Sequence, residues 1–112
     1  RLAEKRKDFN RAEQALRRAV AVAPGQASRV IDLAKFLAKQ GRHQESEQAF
    51  AQAEALAPDS PKVLFERAEA YVQSRRNLGE ARQLLKRYLK SRLAPEDPPR
   101  HQAEKLLKQI GG

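Results

Sequence analysis

Apolar residues recur along this chain at helical spacing. Phe9, Ala12, Leu16, Ala19 and Val20 fall at steps of three and four or adjacent to the stripe, which predicts an amphipathic helix from Asp8, as N-cap, to about Ala23. Pro24 and Gly25 stop it. Val30, Leu33, Ala34 and Leu37 form the next stripe, on a helix that starts near Ser28 and closes at Gly41, a residue suited to the left-handed conformation. A return helix follows from Gln44 to Ala57. Asp59, Ser60 and Pro61 supply a cap and a first-turn proline for a helix with Leu64, Ala68 and Tyr71. Asn77 and Glu80 have capping-box spacing and open a helix with Leu78, Ala81, Leu85, Tyr88 and Leu89 facing inward. Asp97 and Pro98 begin a last helix with Ala103, Leu106, Leu107 and Ile110. Leu2 to Lys7 is too short to stand alone and reads as the tail of a helix that begins upstream.

These segments repeat. Asp8–Pro24 returns 34 residues later as Arg42–Pro58, pairing Ala12 with Ser46, Leu16 with Phe50, Ala19 with Ala53 and Pro24 with Pro58 without a gap. A looser copy runs from Asn77 to Pro95. Self-similarity at a fixed period of this length predicts stacked antiparallel helix pairs. The expectation is an all-α chain in one domain: a truncated first unit (1–24), a second (25–58), a third (59–95) and a C-terminal capping helix (96–112), as a piece of something longer. The third copy is one residue out of register, and Tyr88 stands where Ala19 and Ala53 stood, so packing must loosen there or something must move aside. Arg67 replaces Leu33 and should lay its aliphatic stem over the core with its charge at the edge.

The pattern resembles the tetratricopeptide repeat family. Its first-helix signature is matched by Val30, Leu33, Ala34 and Leu37, and by Leu64, Ala68 and Tyr71. Its second-helix signature is matched by Ala12, Leu16 and Pro24, by Ser46, Phe50 and Pro58, and by Ala81, Leu85 and Pro95. The characteristic Trp is replaced by Val30 and Leu64, and the Gly by Ala34 and Ala68. The resemblance implies a right-handed helical solenoid of about three such units, serving as a non-enzymatic scaffold for a protein or peptide partner. It also implies that first helices line a concave groove. The groove residues would be Ser28, Ile31, Asp32, Lys35, Ala38 and Lys39 in the second unit. In the third they would be Lys62, Phe65, Glu66, Glu69, Val72 and Gln73. Ile31, Lys35, Phe65, Glu69 and Val72 are the expected contacts, with Lys62 at the rim; an apolar floor with a mixed-charge rim suits an amphipathic helix or extended peptide. The plainer alternative is that Ile31 and Phe65 pad neighbouring first helices. Some family members grip a peptide's terminal carboxylate with Lys, Asn and Arg. Here only Lys62 matches, and Asp32 and Glu66 would repel a carboxylate, so that clamp is not expected.

Composition narrows the chemistry. The chain carries 23 basic and 14 acidic residues, net +9, and residues 59–94 hold nine basic against four acidic. An acidic partner would be steered there first. Arg82, Lys86 and Lys90 recur at four-residue steps, with Arg75, Arg76, Arg87 and Arg92 nearby and Arg17 and Arg18 adding to them from the first unit, as a basic face open to nucleic acid or another polyanion. The plainer reading is a solvated helix surface, since aromatic interleaving for base stacking is missing and Phe9, Phe50, Tyr71 and Tyr88 all map to core stripes. Without Cys there is no thiol nucleophile, disulfide or thiolate metal site, and the compartment stays open. His43 and His101 lie apart without acids at ligand spacing, no Gly-rich phosphate loop occurs, and neither metal, cofactor nor catalysis is expected. No apolar run approaches the ~20 residues of a membrane span. Self-association is a further possibility, through Phe9, Leu16 and Val20 left uncovered by the truncated unit.

Overall fold

The computed structural model describes residues 2–111, with side chains from Glu4 onward. It contains six helices: α1 (Leu2–Val22), α2 (Ala27–Lys39), α3 (His43–Leu56), α4 (Pro61–Ser74), α5 (Leu78–Lys90) and α6 (Arg100–Gln109). No strand occurs among the described residues. The chain divides into two compact units between Leu56 and Ala57.

In the first unit, α2 and α3 fold back on each other around Gly41, and α1 lies against α2. Small side chains permit close approach. Ala34, Ser46, Ala49 and Ala53 are buried, and the Ser46 hydroxyl donates to the Ala34 carbonyl across the pair at 2.8 Å. Gly41 takes φ +77, and the Arg42 amide donates back to the Leu37 carbonyl, the closing bond of a Schellman turn.

One sequence expectation fails here. α1 runs unbroken through Asp8, so Asp8 caps nothing and Leu2–Lys7 is not a separate helix. The residue 34 positions before Gly41 is Lys7, which has no preference for the left-handed conformation, and no Pro or Gly interrupts the helix. Continuity carries Phe9 beyond the packed stripe. Ala12, Leu16, Ala19 and Val20 are half-buried as the period predicts, whereas Phe9 is 43% exposed rather than core.

α1 is tied to the α2–α3 turn by ions. The Arg42 guanidinium donates to both Glu13 and Glu45, and Arg17 donates to Glu13 at 2.8 Å. Hydrogen bonds from Arg42 first and Arg17 second hold the Glu13 carboxyl down from an ordinary 4.5 to about 2, against a smaller opposing effect of burial. Folding lowers this pKa, so the stabilisation is complete above pH 4.5 and falls away as pH drops from 4.5 towards 2. Glu13→Gln is therefore expected to lower the urea midpoint at neutral pH by about as much as it shrinks the acid-dependent fall within that window.

The second unit is built on α4, α5 and α6 around one apolar cluster that includes Leu64, Phe65, Ala68, Tyr71, Leu85, Tyr88, Ala103 and Leu107. The 34-residue logic returns in the α4 terminus. Arg75 takes φ 55 where Gly41 stood, and the Arg76 amide donates to the Tyr71 carbonyl as Arg42 does to Leu37. A non-glycine residue there costs about 1 kcal/mol, so the packing of the pair imposes the turn. Arg67 lies over Tyr71, with its guanidinium carbon 5.9 Å from the ring centre and Nε donating to the phenol oxygen, so its charge rests on the core ring rather than at the edge.

Tyr88, the out-of-register residue, is fully buried. Its ring meets Phe65 at 5.2 Å between centroids, and its hydroxyl donates to the Pro98 carbonyl at 2.6 Å. The connection between α5 and α6 thus supplies the room and the acceptor that a larger residue needs. Burial first, then the Asp97 charge, raises the phenol pKa.

Two cap assignments are corrected. Asn77 is the α5 N-cap but sits at φ 50, without a side-chain capping bond, so the expected box with Glu80 does not form. Asp97 does not start the last helix. Its carboxylate accepts the Ala94 amide at 2.7 Å inside the loop, and α6 begins at Arg100.

Candidate functional site

α4 and α6 enclose a cleft of about 520 Å³ in the second unit. Phe65, Glu69 and Gln73, at steps of four, supply the α4 wall. His101, Gln102, Lys105, Leu106 and Gln109 supply the α6 wall. Phe65 and Leu106 are 2% and 8% exposed and form an apolar base. The contact with Tyr88 fixes the Phe65 ring, so that base is preformed. Above it, Glu69 and Lys105 bring opposite charges, and the Gln73, Gln102 and Gln109 amides each offer both donors and an acceptor. This combination can bury an apolar side chain while satisfying peptide groups beside it.

The residues expected to line a groove are divided by the structure. Phe65, Glu69 and Gln73 do line the cleft. Ile31, Val72 and Glu66 are buried, and none of the three lines this cleft. Burial also favours the plainer reading of Ile31 as padding. Asp32, Lys39 and Lys62 are exposed, and Lys35 and Ala38 half-buried. The α6 wall was missed, because that helix was read only as a cap. Its alternation with α5 was the available signal: a helix that follows a return helix stands where a first helix would.

Apart from Arg17 and Arg18 on α1, the expected basic residues are spread along α5 and the connections at its two ends. Arg82 is half-buried, and its guanidinium donates to the Ile110 carbonyl at 3.1 Å, anchoring the end of α6. Arg75 and Arg76 lie at the α4–α5 turn, and Lys90 lies at the far end of α5. Thirteen helical residues separate those ends, about 18 Å. Lys86 is exposed between them.

The first unit has a smaller cleft of about 200 Å³ where Phe9 and Phe36 meet Glu13 and Arg42. Among the described residues no group of three His, Cys, Asp or Glu side chains could hold a metal ion. None of the described helices is long and apolar enough to cross a membrane.

Two overlapping stretches, residues 3–63 and 37–110, match the family model of the tetratricopeptide repeat. The chain belongs to the tetratricopeptide repeat family. No curated protein matches it. Tetratricopeptide repeats generally mediate protein–protein interactions, and the family is typically a non-enzymatic scaffold, which directs attention to surfaces that could receive a polypeptide. Of the tetratricopeptide helices here, α4 and α6 present the larger such cleft among those described above.

Proposed function

We propose that this chain is a non-enzymatic protein-binding module that holds a peptide or helix of a partner protein in the α4–α6 cleft of its second unit. The observation that carries the reading is the preformed apolar base of Phe65 and Leu106 under a rim of opposite charges and glutamine amides. The base would take an apolar anchor of the partner, and the rim would set its register. On this reading Glu69 and Lys105 contact the partner.

Gln73 and Gln102 are exposed, so Gln73→Arg with Gln102→Arg should leave the fold intact while filling the cleft. Proteins captured from source lysate by the 112-residue chain are expected to fall about tenfold with this double variant, with nuclease treatment without effect. Recovery that ignores the double variant would end the proposal, and nuclease-sensitive recovery would move the function to the polyanion reading. A second reading rests on Phe9, which is 43% exposed in the first unit and could meet another copy of the chain. A monomeric mass by sedimentation at high concentration would dismiss it.

A further inference from the structure

The C-terminal end of α5 gathers three cations beside an apolar floor. Arg87 and Lys90 lie in its last turn, Arg92 follows just beyond, and all three are exposed. With Asp59, Pro61 and Leu64 they line a cleft of about 370 Å³, also bordered by Ser91. Cations near a helix C-terminus ordinarily serve its free carbonyls. Here that role is already filled: Arg100 donates to the Leu89 carbonyl at 3.4 Å and to the Ser91 carbonyl at 2.9 Å, and the Ser91 hydroxyl donates to the Arg87 carbonyl at 2.8 Å. Among the described residues no ion pair engages Arg87, Lys90 or Arg92, although the Asp59 carboxylate borders the same cleft. Neither capping nor internal charge pairing therefore accounts for the cluster.

We propose that this cleft docks a short acidic segment of a partner protein, one with an apolar residue set among its carboxylates. Guanidinium groups match carboxylates in geometry as well as charge, and Lys90 adds a third cation between them. Pro61 and Leu64 offer the floor on which an apolar side chain can rest. Asp59 at the edge can accept an N–H of the segment. No aromatic residue borders the cleft to stack on a base, which separates this surface from a single-strand nucleic-acid site. The site shares no residue with the α4–α6 cleft, so it stands or falls apart from it.

The test is fluorescence anisotropy with a labelled peptide of sequence Glu-Glu-Leu-Leu-Glu-Glu. The 112-residue chain is compared with a cleft triple variant, Arg87→Gln, Lys90→Gln and Arg92→Gln. A control triple, Arg11→Gln, Arg18→Gln and Lys39→Gln, removes the same charge from exposed positions in the first unit. The peptide is expected to bind the parent chain and the control within about twofold of each other and the cleft triple about tenfold more weakly. Replacing both leucines of the peptide by serine should weaken binding severalfold, and the Gln73→Arg, Gln102→Arg variant should leave it unchanged. Circular dichroism verifies that both triples remain helical. Equal loss in the two triples, no preference for the leucine peptide, or no binding by the parent chain would overturn the proposal. So would a uridine oligonucleotide that binds more tightly than the peptide and is lost with the cleft triple, which would assign the cleft to nucleic acid.

Discussion

Ile31→Asp and Phe65→Asp are each expected to unfold the helices around them rather than produce a folded chain that has lost a partner. Ile31 is 1% exposed and Phe65 is 2% exposed, so either change drives a carboxylate into a buried apolar environment. The cost should exceed about 4 kcal/mol, the range reserved for buried unpaired charges and large cavities. Urea denaturation followed by circular dichroism reads the loss. Hydrogen exchange locates it: α2 and α3 should lose protection with Ile31→Asp, and α4, α5 and α6 with Phe65→Asp. If both variants stay folded with a near-parental midpoint, burial of Ile31 and Phe65 is not what holds these helices together. The practical consequence is that binding must be probed from the rim of the α4–α6 cleft, at Gln73, Gln102 and Lys105, whose side chains are exposed.

Tyr88→Ala should be the most damaging truncation in the second unit, at about 3–5 kcal/mol, the usual cost of deleting a fully buried aromatic ring. It leaves a cavity against Phe65 and strips the Pro98 carbonyl of its 2.6 Å donor. Tyr88→Phe separates the two effects. It keeps the ring contact and removes only the hydroxyl, so it should cost about 1–2 kcal/mol, the price of a part-buried acceptor left unmade. Comparing the two urea midpoints apportions ring and hydroxyl. A Tyr88→Phe variant as stable as the parent would show that the bond to Pro98 does not hold the α5–α6 connection. Function is tied to this residue as well, because Tyr88 braces the Phe65 ring that forms the base of the cleft. Tyr88→Phe is therefore expected to preserve partner capture and Tyr88→Ala to abolish it.

The two kinds of charged residue show how far a linear pattern reaches. Arg67 was legible in part: its register with Leu33 placed it over the core, but its guanidinium lies against Tyr71 rather than at the edge. Arg82 was not, because its partner, the Ile110 carbonyl, is 28 residues away and belongs to a backbone end that no periodicity marks. Arg87 and Arg92 illustrate the converse. Along the chain they are only neighbours of the basic stripe, yet the end of α5 brings them beside Pro61 and Leu64 of another helix.

The amino-acid order alone determined the helical class, the 34-residue repeat and the positions of most breaks, at Pro24–Gly25, Gly41, Ser60–Pro61 and Asn77. These are local properties: glycine and proline act through their own backbone, and apolar stripes report which residues share a helix face. Where no breaker was present, at Lys7–Asp8, the repeat misled and the helix continued. Tertiary structure decided how much of each face is covered, because burial depends on which neighbouring helix lies over it. That is why Ile31 and Val72 became interior, Phe9 stayed exposed, and α6 turned out to wall a cleft with α4.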